Sequence, residues 1–170
     1  MNFLSSFESK SVSLDILCLC ETWTNNFDRF SIPNYNVFFA SRLNNDRGGV
    51  AIYLKNSFIS NQISHPCLFN ERILESVLVK FSLPGGFKGL VLSLYRPNTH
   101  ADLSYNDQIL LFLELFAEIL NYLDSFNLPV ILIGDFNLDL FLSNDLSSNS
   151  TSLLNQCNSC GYLQTISHAT

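Results

Sequence analysis

Six short apolar runs, separated by polar turns, constrain the fold of this chain more than any other feature of its sequence. Runs of five to nine residues rich in Val, Ile, Leu and Phe are typical of β-strands with at least one buried face. The runs are Asp15–Cys20, Asn36–Ala40, Gly49–Leu54, Glu75–Leu83, Phe87–Tyr95 and Pro129–Ile133.

One turn and one apolar run allow more specific predictions. The sequence Pro84-Gly85-Gly86 separates the fourth run from the fifth, which predicts a β-hairpin with a short loop. Pro129–Ile133 is apolar without interruption, which predicts a fully buried central strand.

Helical patterns are fewer than strand patterns. In Asp107–Ser125 polar side chains recur at intervals of 7, 4, 3 and 4 residues, which predicts a helix with one polar stripe. Ser150–Cys160, followed by Gly161, and Asn2–Lys10 are the other predicted helices. We therefore expect a single α/β domain over residues 1–170, a mixed sheet or sandwich with helices packed on its outside.

The composition excludes several classes of protein. Hydrophobic residues make up 47% of the 170 residues and charged residues 14%, which excludes a disordered chain and a coiled coil. The net charge of -6 argues against a general nucleic-acid-binding protein, but not against an enzyme that meets phosphate through a metal ion. No membrane-spanning run is present, so no membrane partner is expected. Five cysteines, an odd number, predict unpaired thiols in a reducing intracellular compartment.

The run Pro129–Ile133 leads into Gly134, Asp135, Phe136 and Asn137. The alternation of side chains along an extended chain puts the Asp135 carboxylate and the Asn137 amide on the same side. Gly134 allows a ligand or another strand to approach closely. The segment is therefore either part of a site or a polar exit from a strand into a turn.

Glu21 follows the apolar run Asp15–Cys20 in the same way. Mg²⁺ takes oxygen ligands and often uses only one or two protein carboxylates, so Glu21 is a candidate metal ligand. The alternative is that Glu21 ends the strand at the surface. Trp23, two residues further on, is interpreted as a packing residue.

A third polar segment follows the run Phe87–Tyr95. Tyr95, Arg96 and Asn98 offer a phenol, a guanidinium and an amide within four positions. Arg96 and Asn98 are suited to nucleic-acid phosphate and base contacts. An ordinary surface loop would have the same composition, so both interpretations stay open from these residues alone.

Four short motifs occur in an order that is characteristic of one enzyme superfamily. They are Glu-Thr-Trp at 21–23, Arg-Gly-Gly-Val-Ala-Ile-Tyr at 47–53, Tyr-Arg-Pro-Asn at 95–98 and Gly-Asp-Phe-Asn at 134–137. With them the chain resembles the endonuclease/exonuclease/phosphatase superfamily over nearly its whole length. More narrowly, it resembles the apurinic-type endonuclease domain of non-LTR, LINE-like retrotransposons.

The resemblance implies a four-layer sandwich, two mixed β-sheets flanked by helices, that hydrolyses phosphodiesters in DNA. It implies that Glu21 is the ligand of Mg²⁺, with Mn²⁺ as the alternative ion. Asp135 would orient or deprotonate the attacking water, Asn137 would hold the scissile phosphate and Tyr95 would donate to its oxygens. A reverse transcriptase domain of the same polyprotein is the implied protein partner, with access to the nucleus.

The chain departs from the superfamily pattern at both ends. Superfamily members open with a strand whose Asn helps to bind metal and phosphate, and they close with a Ser-Asp-His segment. Neither has a counterpart in this sequence, so we expect a partial domain and weak or no hydrolysis by the 170-residue chain. His168 lies before the place of the closing segment and is not assigned the catalytic role.

Two other functions stay open beside the DNA-nicking enzyme. The first is that of a non-catalytic remnant that acts as a binding module. The second is that of a lipid or inositol phosphodiesterase or phosphatase of the same superfamily. Cys157 and Cys160 have no second cysteine pair at zinc spacing, so they are predicted to lie on the apolar face of a helix.

Overall fold

The computed structural model describes residues 14–24, 26, 30–43, 47–98, 102–140 and 148–166. The strands are β1 Ile16–Cys20, β2 Tyr35–Ala40, β3 Val50–Lys55, β4 Ile59–Ile63, β5 Phe69–Asn70, β6 Leu74–Ser82, β7 Lys88–Tyr95 and β8 Val130–Asp135. The helices are α1 Tyr105–Asp124 and α2 Ser148–Ser159, and a 3₁₀ turn covers Pro66–Leu68.

β1, β3 and β2 form the first sheet in that order, with antiparallel pairing. Cys20, the last residue of β1, pairs with Val50, the first residue of β3. The residues that follow β1 therefore lie beside Gly48 and Gly49, which precede β3. This register brings Glu21, the predicted metal ligand, next to a glycine loop.

β4, β6, β7 and β8 form the second sheet in that order, and β5 pairs with β6. β6 and β7 are the predicted hairpin. β7 and β8 run parallel, which two consecutive strands can do only across a long connection, and α1 supplies it. Tyr95 pairs with Asp135, so the predicted site residues at the ends of β7 and β8 lie at one edge of the sheet.

The two sheets pack face to face, and helices cover the outer face of the second sheet. Alternate side chains of β6 serve both interfaces, since Val77 and Val79 face the first sheet while Leu74 and Leu78 face α1. α1 contributes a fully buried stripe of residues to the helical interface: Ile109, Phe112, Phe116, Ile119 and Leu123. The predicted sandwich with helices on its outside is confirmed.

The positions of the predicted elements agree with the structure. Each predicted strand is present, with both ends within two residues of the predicted ones. The helices predicted at Asp107–Ser125 and Ser150–Cys160 agree to the same extent with α1 and α2. The helix predicted at Asn2–Lys10 lies outside the described residues. None of the helices that the structure describes combines the length and the apolar composition needed to cross a membrane.

The prediction of a fully buried central strand at Pro129–Ile133 is wrong for the described part of the protein. β8 is an edge strand there, paired with β7 only, and 48% of Ile131 and 42% of Ile133 are exposed. Val130 and Leu132 point to the other face and pack against the helical core. The apolar run therefore indicates a strand with two apolar faces, of which the described structure covers one.

Candidate active site

The predicted catalytic residues meet at one edge of the sandwich. Glu21 directly follows β1 of the first sheet, while Tyr95 and Asp135 pair at the ends of β7 and β8 in the second sheet. The Tyr95 hydroxyl donates a hydrogen bond to Oε1 of Glu21 and so links the two sheets. Asn137 is tied to the same edge, because its Nδ2 donates to the carbonyl of Arg96 at 2.7 Å.

The segment after β1 turns sharply and holds Glu21 in an uncommon conformation. Glu21 has φ 53° and Trp23 has φ 51°, values of the left-handed region that side chains other than glycine rarely adopt. Two backbone hydrogen bonds fix the turn: Thr22 N–H donates to the Gly49 carbonyl at 3.3 Å, and Trp23 N–H donates to the Gly48 carbonyl at 2.9 Å. The 60% exposure of the Trp23 side chain contradicts its interpretation as a packing residue.

Tyr95 is a buried phenol whose hydroxyl reaches the surface carboxylate of Glu21. Only 5% of the residue is exposed. Burial, followed by the hydrogen bond to Glu21, raises the pKa of Tyr95 above its usual value. The phenol therefore stays neutral and remains a hydrogen-bond donor throughout the neutral pH range.

Asp135 and Asn137 form a tight turn at the end of β8. Asn137 N–H donates to Oδ1 of Asp135 at 3.0 Å, and Asn137 has φ 49°. Gly134, just before them, allows a close approach of the neighbouring strand, since a Cβ there would lie 1.8 Å from the Leu94 carbonyl oxygen. Of the two interpretations of Gly134, the structure supports the one in which another strand approaches.

The structure corrects the expectation that Arg96 contacts nucleic acid. Arg96 is fully buried, and its Nε and Nη2 donate to the carbonyls of Phe136 and Asn137 at 2.6 and 2.7 Å. Its guanidinium also lies 5.8 Å from the ring centre of Phe112, and burial lowers the pKa of Arg96. The guanidinium therefore binds the backbone of the turn that follows Asp135. Asn98 is exposed.

Glu75 and Arg42 form a buried pair that the sequence interpretation missed. Glu75 Oε1 accepts from Arg42 Nε at 2.5 Å, and Glu75 is fully buried. Glu75 pairs across the hairpin with Tyr95 and therefore lies directly beneath the candidate site. The signal in the sequence is a carboxylate between the apolar residues Leu74 and Val77, at the start of a predicted strand.

The oxygen atoms at this edge fit a hard divalent cation. Glu21 and Asp135 are both exposed carboxylates, and Thr22 Oγ1 is buried without a hydrogen-bond partner. Mg²⁺ prefers oxygen ligands and retains several waters, so it needs few protein carboxylates. Among the described residues no group of three or more His, Cys, Asp and Glu could hold a metal ion.

Other features lie away from this edge. A groove of about 720 Å³ between α1, β8 and α2 is lined by Leu132, Leu153 and Tyr162 among others, and by none of the predicted catalytic residues. Cys157 packs against the helical core, where burial raises its pKa to about 11, whereas Cys160 is exposed. The prediction that both lie on an apolar helix face therefore describes Cys157 only.

Comparison with known proteins shows the family of the chain. Residues 2–165 match the sequence profile described as the Endonuclease/Exonuclease/phosphatase family. The chain belongs to this family. Members of the endonuclease/exonuclease/phosphatase family are hydrolytic nucleases and phosphatases, and its nucleases generally use divalent metal ions. A search of curated protein sequences gave no significant match.

Solved structures of the endonuclease/exonuclease/phosphatase family have a similar fold. A humanised TDP2 from D. rerio is 16% identical, with a TM-score of 0.58 over 96% of this chain and 61% of that one. D. rerio TDP2 in complex with a single-strand DNA product is 16% identical, with a TM-score of 0.55 over 95% of this chain and 57% of that one. The Xenopus laevis APE2 catalytic domain is 19% identical, with a TM-score of 0.59 over 92% of this chain and 62% of that one. The chain thus spans about three fifths of each.

Proposed function

We propose that this protein is a divalent-metal-dependent phosphodiester hydrolase that nicks DNA, and that it is the endonuclease domain of a non-LTR retrotransposon protein. The observation that carries the proposal is the meeting of Glu21, Tyr95 and Asp135 at one edge. These residues come from three strands of two sheets, and they are joined by the Tyr95–Glu21 hydrogen bond and the Tyr95–Asp135 strand pairing. The retrotransposon assignment rests on the motifs at 21–23 and 95–98.

The proposed roles follow from the chemistry of each side chain. Glu21 would hold Mg²⁺, which would supply neutralisation of the charge that develops on the phosphate. Asp135 lies exposed at the end of β8, where it can orient an attacking water and accept its proton. Asn137 Nδ2 donates one hydrogen bond to the Arg96 carbonyl and retains a second N–H for a phosphate oxygen.

Tyr95 has one proton to donate, and in the free protein that proton is directed at Glu21. We assign Tyr95 two successive partners. It orients the Glu21 carboxylate before substrate binds, and it donates to a phosphate oxygen once substrate is in place. The raised pKa of Tyr95 keeps the proton available for both partners.

The test is the nicking of supercoiled plasmid in Mg²⁺, in Mn²⁺ and in excess chelator, with protein in molar excess over DNA so that slow turnover is visible. We expect weak or no nicking by the 170-residue chain and Mg²⁺-dependent nicking by a longer chain that includes flanking polypeptide, and the substitutions are compared in the longer chain. Glu21→Gln and Asp135→Asn should each lower the rate by about 100-fold or more, since each removes a charge from the reacting centre. Glu114→Gln and Asp124→Asn, which change exposed carboxylates on α1, serve as matched controls and should leave the rate unchanged.

The remaining outcomes separate the alternatives. Nicking that persists in chelator, or that survives both site substitutions, would contradict the proposal. Plasmid binding without cleavage, in this chain and in a longer chain that includes flanking polypeptide, would favour the binding module. Hydrolysis of an inositol phosphate or a phospholipid in preference to DNA would favour the third function. A reverse transcriptase domain encoded in the same reading frame would support the retrotransposon assignment.

A further inference from the structure

A charged group deep between the sheets lies beneath the candidate site. Glu75 in β6 is fully buried, and an isolated carboxylate in such a place is strongly unfavourable unless it is paired and hydrogen-bonded. Three donors meet it: Arg42 Nε at 2.5 Å, the Gly49 N–H at 2.7 Å and the Arg72 N–H at 3.2 Å. The Arg42 side chain is itself 9% exposed, so this pair is shielded from water.

The glycine loop before β3 links this buried carboxylate to the segment that carries Glu21. Gly49 donates its N–H to Glu75, and its carbonyl accepts the N–H of Thr22. The loop requires glycine at these positions, because Gly48 and Gly49 have φ 75° and 86°. A Cβ on Gly48 would also lie 2.6 Å from the Arg42 guanidinium.

The segment that receives these bonds is one that needs support. Glu21 and Trp23 both adopt the left-handed backbone conformation. For residues other than glycine this conformation is unfavourable in free energy, and it persists only where the surroundings impose it. The backbone N–H groups of Thr22 and Trp23 are bound by the carbonyls of the glycine loop. Glu75 thereby reaches the Glu21 backbone through Gly49.

Glu75 also faces the other partner of Glu21. Glu75 and Tyr95 are directly paired across the β6–β7 hairpin, and Tyr95 donates its hydroxyl proton to Glu21. The same buried carboxylate therefore contacts the loop that fixes the Glu21 backbone and adjoins the residue that orients the Glu21 side chain.

We propose that Glu75, paired with Arg42, is a positioning residue that presets the Glu21 carboxylate for metal binding through the Gly48–Gly49 loop. The inference rests on the proposed function as far as the metal is concerned. Its structural part, that Glu75 controls the conformation of residues 21–23, does not depend on that function.

The chain carries its own probe for this proposal, because Trp23 is its single tryptophan. Fluorescence anisotropy of Trp23 and amide hydrogen exchange at Thr22 and Trp23 report the order of the segment without any metal. A Mg²⁺ titration followed by Trp23 emission then reports metal binding. The variants are Glu75→Gln, Glu75→Ala and Arg42→Lys. Leu74→Ala is the matched control, because it opens the buried position next to Glu75 on the side of α1.

The Glu75 variants should lower the anisotropy of Trp23 and speed exchange at Thr22 and Trp23. They should raise the Mg²⁺ concentration at half-maximal response roughly 10–100-fold, as changes to residues that support a metal ligand do. The Leu74→Ala control should lower the melting temperature without either effect. Glu75→Gln and Arg42→Lys keep nearly the native side-chain shape. If Glu75→Ala fails to fold, these two variants test the positioning role of Glu75.

Two outcomes would overturn the inference and separate it from the proposed function. Folded Glu75 variants whose exchange at Thr22 and Trp23 equals that of the control would show that Glu75 does not position the segment. Faster exchange together with an unchanged Mg²⁺ midpoint would show that the segment does not preset Glu21. An unsubstituted protein that gives no response to Mg²⁺ would instead refute metal binding, and the exchange comparison would still decide the role of Glu75.

Discussion

The Tyr95 hydroxyl donates a hydrogen bond to the Glu21 carboxylate across 74 positions of sequence. This bond joins the end of β7 in the second sheet to the segment after β1 in the first sheet. Tyr95 is almost fully buried, whereas Glu21 is exposed, so the bond connects the inside of the sandwich to its surface. It therefore contributes both to the union of the two sheets and to the orientation of the proposed metal ligand.

Removing this hydroxyl should affect activity more than stability. Tyr95→Phe deletes the donor to Glu21 and to a bound phosphate, so we expect the nicking rate to fall about 10²–10³-fold. The free energy of unfolding should fall by about 1 kcal/mol, the usual contribution of one hydrogen bond. Plasmid nicking and urea denaturation measure the two effects.

Tyr53→Phe is the matched control for that substitution. Tyr53, in β3 of the first sheet, is also buried, and its hydroxyl donates to the Phe30 carbonyl at 2.9 Å. The same atom is lost, so a similar loss of stability is expected, with no loss of nicking. Equal nicking rates in the two variants would contradict the role assigned to Tyr95.

The raised pKa of Tyr95 predicts a loss of stability in alkaline solution. The folded state favours the neutral phenol, so this contribution is complete below the unfolded pKa of 10.0 and is lost as the pH rises towards the higher folded value. The contribution of Tyr95 to the free energy of unfolding, measured in urea between pH 7 and 11, should therefore decline above about pH 10.

Tyr95→Phe should make the alkaline decline of the whole protein shallower without abolishing it, because burial also raises the pKa of Tyr53, that of Tyr162 to about 12 and those of Cys18 and Cys157 to about 11. The difference in the free energy of unfolding between the unsubstituted protein and Tyr95→Phe should be constant from pH 7 to 9. A decline of the same steepness in the variant would show that Tyr95 ionises equally in both states.

Gly134 should be the least replaceable glycine in the site. A Cβ at this position would lie 1.8 Å from the Leu94 carbonyl oxygen, within the β7–β8 pairing. Gly134→Ala should therefore force the strands apart. The free energy of unfolding should fall by about 1–3 kcal/mol, the range for overpacking, or by more. Because Asp135 follows directly, nicking should be lost in the protein that remains folded.

Gly85→Ala is the control, since a Cβ at Gly85 would meet nothing within 4 Å. Its melting temperature and nicking rate should equal those of the unsubstituted protein. Thermal denaturation of both variants distinguishes a steric effect at β8 from a general intolerance of alanine. A stable, active Gly134→Ala would mean that β8 is not held against β7 as described.

Trp23 should contribute to binding of DNA and little to stability. Its side chain is 60% exposed and lies two residues from Glu21, where an unpaired base could stack on the indole. Trp23→Ala should weaken single-strand DNA binding by about 1–3 kcal/mol, the range for one stacked base. Trp23→Phe should retain part of the affinity.

Leu43→Ala removes another exposed apolar side chain, 89% exposed, and should leave DNA affinity unchanged. Fluorescence polarisation with a labelled oligonucleotide measures all three variants. A loss of binding that is equal for Trp23→Ala and Leu43→Ala would indicate nonspecific hydrophobic contact rather than stacking.

The sequence by itself located six of the eight described strands and both described helices, and it singled out polar residues at the ends of three of those strands. Hydrophobic periodicity is a local property, so it locates β1, β6–β7 and α1 without knowledge of their neighbours. The polar residues Glu21, Tyr95 and Asp135 each lie at the end of an apolar run or just after it, and strand ends that converge at one edge bring them together.

Only the tertiary structure decided which of these groups are exposed and what they contact. The apolar run of β8 fits a central strand and an edge strand equally well, because the number of neighbouring strands is not encoded locally. Charged residues are mostly exposed in folded proteins, yet Arg96 and Glu75 are both buried. Their burial depends on partners 33 to 41 positions away, Arg42 for Glu75 and the carbonyl of Asn137 for Arg96, and such pairings exist only once the sheets have packed.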